Sequence, residues 1–222
     1  DGATKTLSGT IDDGIFVKSG ANITITLDNA TINAAAGKDT VYVEKGAKLT
    51  LTGKGTINNV AGYAGVFNNG NVTIDGDITI NHTGSYYAVL NHGEMIINKA
   101  TIKADEKTNS VVVNGYYNYG KTSNHREGYV EGVAHANPKM TLGSGVVIDG
   151  TNAINCTIKN DDGGVMTING GNYTASGAGA FQNANKATIN GGTFTKKKKK
   201  KPLLYNDYYT GGNNEGILEI ND

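Results

Sequence analysis

The residues nearest to catalytic pairs in this sequence are neighbouring carboxylates: Asp12 with Asp13, Asp75 with Asp77, and Asp161 with Asp162. Two acids flanking a glycosidic bond can cleave it, one as acid and the other as base or nucleophile. Neighbours on a strand point to opposite faces, so an Asp-Asp dipeptide is not such a pair by itself. The stretch "KNDDGG" around Asp161 also has the composition of a turn. Proton abstraction needs a positioned base, and one focus for it exists: His125 beside Arg126, the only arginine, in "NHREG". No cluster of Asp adjoins it in sequence. His82 and His92 fall in the turns "NHT" and "NHG", and neither they nor His125 and His135 have the spacing of metal ligands. Nucleophile-elbow, P-loop, dinucleotide and calcium-nonapeptide motifs do not occur. No catalytic residue, metal or cofactor is therefore assigned. The single cysteine, Cys156 in "AINCTI", forbids an intrachain disulfide and reads as a small buried hydrophobe.

A different chemistry collects in "GYYNYGKTSNHREGYVEGVAHA". Tyr116, Tyr117, Tyr119 and Tyr129 lie there with His125 and Arg126, and these six are the candidate ligand-binding residues. Aromatic rings beside polar groups stack on sugar faces or fill a protein interface. The same composition also suits a Tyr-rich flap over the flank of the fold.

The elements that must carry these residues follow a clock. Asn68, Asn91, Asn114, Asn137, Asn160, Asn183 and Asn206 recur every 23 residues, and a fixed period of that size marks a repeat architecture. The apolar pattern keeps similar time. In "VEKGAKLTLTGKGTI", "FNNGNVTIDGDITI", "LNHGEMIINKATI" and "QNANKATINGGTFT", a turn leads into a short alternating strand, a second turn and another strand. A unit this short is too small for a propeller blade. It fits one coil of a β-solenoid, and about eight such coils, stacked ~4.8 Å apart, would give a rod on the order of 40 Å long.

Two inward stacks are expected. One is Ile25, Leu51, Ile74, Ile97, Leu142, Ile168, Ile189 and Ile220; the other is Ile32, Ile57, Ile80, Ile102, Ile148, Tyr173 and Phe194. Asn68, Asn91, Asn114, Asn160, Asn183 and Asn206 then form an internal ladder, each amide bonding its counterparts above and below while the residue turns a corner. Residues 116–136 break the pattern, as an irregular coil or as a loop inserted after Asn114; "ANPKMTL" can follow "VVVNG" directly, which favours the loop and makes the phase of Asn137 a coincidence. Residues 202–222 read as a cap-like segment closing a single domain that spans 1–222.

With "VTIDGDI", "MTINGGNYT" and "ATINGGTFT", the chain resembles the right-handed parallel β-helix proteins of the pectate-lyase-like superfamily. It is most similar to the Asn/Gly/Thr-rich members found in phage structural proteins and bacterial surface adhesins. The resemblance implies an all-β, right-handed parallel β-helix. For function it implies a structural or adhesive rod, either a phage fibre or capsid decoration in the virion or a protein of the cell surface. The alternative it carries is a polysaccharide lyase or depolymerase, which in this superfamily leans on arginine and on acids from successive coils. An ice-binding solenoid needs a sustained threonine array, whereas "LTLT" and "VTID" are followed by "MIIN".

Composition narrows the partners. The net charge is zero, but Lys196–Lys201 supply six of the 20 basic residues, leaving 14 against 20 acids, a formal −6. Nucleic-acid binding by the body is unexpected on that balance. No apolar run reaches the ~18 residues of a membrane span, so membrane insertion through a helix is unexpected too. Virion or cell-surface proteins and surface glycans are the expected partners, and a homo-oligomer is compatible with the solenoid ends.

Overall fold

A computed structural model describes residues 2–34, 37–60, 63–116, 137–161, 163–175, 179–197, 202–206 and 216–221. Among them the chain alternates long and short strands, all parallel. The long ones are β1 (Ala3–Ile11), β3 (Asn22–Asn33), β5 (Lys48–Asn59), β7 (Asn71–His82), β9 (Glu94–Ala104), β11 (Lys139–Gly150), β13 (Val165–Ala175), β15 (Lys186–Lys196) and β17 (Ile217–Ile220). They form a nine-stranded sheet in that order. Between them lie β2 (Ile15–Val17), β4 (Val41–Val43), β6 (Val66–Asn68), β8 (Tyr87–Asn91), β10 (Ser110–Asn114), β12 (Ile158–Asn160), β14 (Phe181–Asn183) and β16 (Leu204–Asn206), which form the second sheet. The result is a parallel β-solenoid of about seven turns with coils of ~23 residues, one turn fewer than the period alone suggests.

The two strands expected in each coil before the corner are one long strand with a bend in its middle. In the first three coils Gly9 (φ 72°), Asn29 (φ 51°) and Gly53 (φ 83°) sit in the left-handed region at that bend, a conformation that glycine and asparagine reach most cheaply. Sheet pairing is kept on both arms of the bend; β5 and β7 pair without a register break from Lys48–Asn71 to Asn59–His82, while the other two-armed pairs shift register at the bend.

Both apolar stacks form in register. Ile25 pairs with Leu51, Leu51 with Ile74, Ile74 with Ile97, Ile97 with Leu142, Leu142 with Ile168, Ile168 with Ile189 and Ile189 with Ile220. The second runs from Ile32 through Ile57, Ile80, Ile102, Ile148 and Tyr173 to Phe194. Most members are fully buried, each worth ~1.5–3 kcal/mol relative to exposure. The short strands add Val41, Val66, Val89, Val112, Ile158 and Phe181 from the other side of the same core.

On the outward face threonine fills two columns. Thr4, Thr24, Thr50, Thr73, Ile96, Thr141, Thr167 and Thr188 are successive partners, as are Thr10, Thr31, Thr56, Thr79 and Thr101. The array is longer than the local motifs announce, because the segments between successive long strands differ in length and only the register aligns the threonines. It is interrupted by Ile96, and the two columns belong to different arms of the bent strand.

Candidate functional site

From Asn68 onward the corner after each short strand is turned on an asparagine of one inward-facing column. Asn68 donates to Asn91 Oδ1 (2.8 Å), Asn91 to Asn114 (2.7 Å), Asn114 to Asn160 (2.9 Å), Asn160 to Asn183 (2.8 Å) and Asn183 to Asn206 (2.7 Å), all through Nδ2. The first five are fully buried. Backbone carbonyls two residues onward and on the next coil use the remaining donor capacity, as Gly70 and Glu94 do for Asn68. A buried amide with its hydrogen bonds met is stable, and each missing one would cost ~1–3 kcal/mol. This ladder is a structural device. It passes from Asn114 directly to Asn160, and β10 pairs with β12, so Asn137, which is exposed, has no rung. Val17 and Val43 hold the same register position in the two coils before Asn68, which explains why the series starts there.

The position before the ladder asparagine faces outward and forms its own column: Phe16, Tyr42, Phe67, Leu90, Val113, Lys159, Gln182 and Tyr205. Its first members are aromatic. Phe16 and Tyr42 stack at 5.2 Å with planes 8° apart, and Tyr42 meets Phe67 edge-on at 5.3 Å. Phe67 continues edge-on to His92 (5.1 Å), which stacks on Tyr116 at 4.2 Å. A line of five rings thus runs along this side of the eight-stranded sheet; Phe16 is 55% exposed, whereas Phe67, His92 and Tyr116 are buried, Phe67 in a second apolar cluster with Ala64, Leu90 and Val113.

Two concavities adjoin the stripe. One, of about 500 Å³, is lined by Phe16, Tyr42, Tyr63 and Phe67 with Asp13, Lys38 and Asp39. The other, of about 390 Å³, lies beside His92 and Tyr116 and is edged by Lys45, Glu94 and Lys139. Lys139 Nζ pairs with Glu94 Oε1 at 3.1 Å across neighbouring strands. Tyr116 Oη donates to the carbonyl of His92 (3.4 Å).

Several described acids are held in local bonds. Asp12 accepts from Asn33 (2.8 Å), Asp39 from the amide of Ala64 (2.7 Å) and Asp75 from Asn98 (3.2 Å). Asp77 pairs with Lys99 at 2.7 Å; hydrogen bonding and charge together lower the Asp77 pKa and raise that of Lys99. Asp149 is pushed up by partial burial, but bonds from Thr151 and the charges of Lys197 and Lys103 leave it lower than usual. Asp161 is buried against Lys159 at 2.7 Å. Burial opposes the Lys159 charge, yet Asp161 outweighs it and keeps the ammonium pKa raised. Cys156, wholly buried 3.5 Å from Ser110 Oγ, has its thiol pushed up to about 11 by desolvation. A thiol so placed is inert.

Of the sequence-derived binding candidates, the structure places Tyr116, against His92 and inside the second concavity's lining. Tyr117, Tyr119, His125, Arg126 and Tyr129 lie outside the described residues, as does Asp162. Asp75 and Asp77 are not a free pair, since each is bonded to the neighbouring strand. Sequence reasoning missed Phe16, Tyr42, Tyr63 and Phe67. The available signal was phase: the residue before each ladder position must face out from the short strand. No group of three or more His, Cys, Asp or Glu among the described residues could hold a metal ion. Comparison of the chain with family models, curated proteins and solved structures returned no match.

Proposed function

We propose that this protein is a non-enzymatic structural or adhesive rod that displays its outer surface for contact with glycans or proteins. The supporting observation is the way its polar groups are used. Asparagine amides are taken up by the ladder, and bonded carboxylates pair with neighbouring coils, as Asp12 and Asp77 do, or within their own, as Asp161 does, so the arrangement favours rigidity over chemistry. A stiff scaffold holding an aromatic stripe at one flank suits binding by a surface that need not rearrange. In setting we favour a phage virion, as a fibre or capsid decoration, followed by the surface of a bacterial cell. That setting, the right-handed β-helix assignment and membership of the pectate-lyase-like superfamily rest on the resemblance of the "TINGG" coils.

The competing outcome is a lyase or depolymerase. Incubation with acidic and neutral polysaccharides should release neither reducing ends nor unsaturated products. Sustained turnover that a single substitution abolishes would replace the rod with an enzyme.

A further inference from the structure

We propose that the concavity at the N-terminal end of the aromatic stripe is a binding site for a neutral oligosaccharide. The inference deepens the reading of the chain as a displaying rod and rests on it. Three aromatic side chains among the described residues stand out as exposed: Phe16 at 55%, Tyr63 at 39% and Tyr86 at 47%. They are not scattered. Phe16 and Tyr63 line the same cavity of about 500 Å³, and Tyr86 lies 6.2 Å from Tyr63, ring centre to ring centre. Exposed rings gathered at one concavity mark a contact site, whereas single ones mean little. The volume falls in the range of small-molecule sites, roughly 300–1,000 Å³, and leaves room for a short oligosaccharide.

The charges beside the rings select the ligand. Asp13 and Asp39 oppose an acidic sugar, and Lys38 in the same lining opposes a cation that the rings and acids would otherwise attract. An uncharged polyol suits both signs: its hydroxyls donate to carboxylates and accept from an ammonium, while the apolar face of a pyranose lies on an aromatic ring. The rings are already held in place. Phe16 rests on Tyr42, and Tyr42 on Phe67 with its hydroxyl accepting from Asn69 Nδ2 (3.3 Å). Asp39 is fixed by the amide of Ala64. Preorganised groups lose little entropy on binding.

The test is calorimetric titration of the whole chain with neutral tetrasaccharides of glucose, mannose and xylose in different linkages. Galacturonate and glucosamine oligomers serve as the anionic and cationic arms. A neutral oligosaccharide should bind, and Phe16→Ala and Asp13→Asn should each weaken it at least tenfold, with the fold kept: the melting temperature stays put in Asp13→Asn and falls by only a few degrees in Phe16→Ala, which loses its stack on Tyr42. Binding of only the charged oligomers, or of none, would overturn the proposal. Neutral binding unchanged by both variants would overturn this site while leaving the rod intact. Release of new reducing ends would instead overturn the rod reading, and loss of binding in Phe16→Ala would then still uphold the site.

Discussion

Replacing Asn91 by Asp exchanges one nitrogen for oxygen at the middle of the ladder. Asn91 Nδ2 donates to Asn114 Oδ1 (2.7 Å), Lys139 O (2.9 Å) and Gly93 O (3.1 Å), while its Oδ1 accepts from Asn68 Nδ2 (2.8 Å) and Gly93 N (3.2 Å). A protonated Asp retains one donor, so two acceptors lose their partner in a site closed to solvent. At ~1–3 kcal/mol each, the cost is about 2–6 kcal/mol. For a chain of this size 1 kcal/mol moves Tm by roughly 2–4 °C, so a fall on the order of 10 °C is expected near pH 4, where the carboxyl enters the fold protonated. Burial raises the pKa of the new carboxyl above its unfolded value. The folded state therefore binds more protons, and the loss should be smaller near pH 4 and grow as pH rises. Differential scanning calorimetry of wild type, Asn91→Asp and Asn137→Asp at pH 4 and pH 7 gives the answer. Asn137 is exposed and off the ladder, so its variant should melt within about 1 °C of wild type. Equal melts for Asn91→Asp and wild type, or equal losses at the two positions, would refute the ladder argument.

Three further outcomes follow from the same geometry. Gly93→Ala should lower stability by at least ~1–3 kcal/mol in urea unfolding, because its Cβ would collide with the carbonyl of Gly70 on the preceding coil. Lys159→Met removes the ammonium 2.7 Å from the buried Asp161 carboxylate and should cost about 3–5 kcal/mol, with most recovered in the double variant Lys159→Met/Asp161→Asn; no recovery would mean the pair is not the source of the loss. Burial pushes the Cys156 thiol up to about 11 from an ordinary value of 9.0, so stability falls as pH climbs between those values, by up to about 2–3 kcal/mol from this thiol. Cys156→Ala should flatten that slope, and alkylation of the native thiol at pH 8 should be far slower than in urea.

The core was legible because one rule applies to every coil. A parallel solenoid places the same phase of each repeat in the same column, so Ile25, Leu51 and Ile74 could be stacked from spacing alone. So could the ladder from Asn68 to Asn206, including its step over Asn137. The bend was less legible. Gly9, Asn29 and Gly53 look like turn residues that end a strand, yet pairing resumes on the far side of each, with a register shift at Gly9 and Asn29 and through Gly53 itself. The aromatic stripe was hidden for a different reason. Phe16, Tyr42 and Phe67 lie 26 and 25 residues apart, off the 23-residue clock, because turns of variable length precede the short strands. Only the register brings them into one column. Lys159 follows from the same column, and nothing in "TIKND" announces a buried ion pair.

Everything said of function depends on which asparagines face inward and hence which residues face out. Hydrogen exchange of the side-chain amides, followed by NMR on the asparagine-labelled chain, measures that directly. The Nδ2 protons of Asn68, Asn91, Asn114, Asn160 and Asn183 should be strongly protected, and those of Asn137 should exchange at the rate of a free amide. Rapid exchange at Asn91 and Asn114, or protection at Asn137, would mean that the coils are registered differently and that the stripe beginning at Phe16 does not exist.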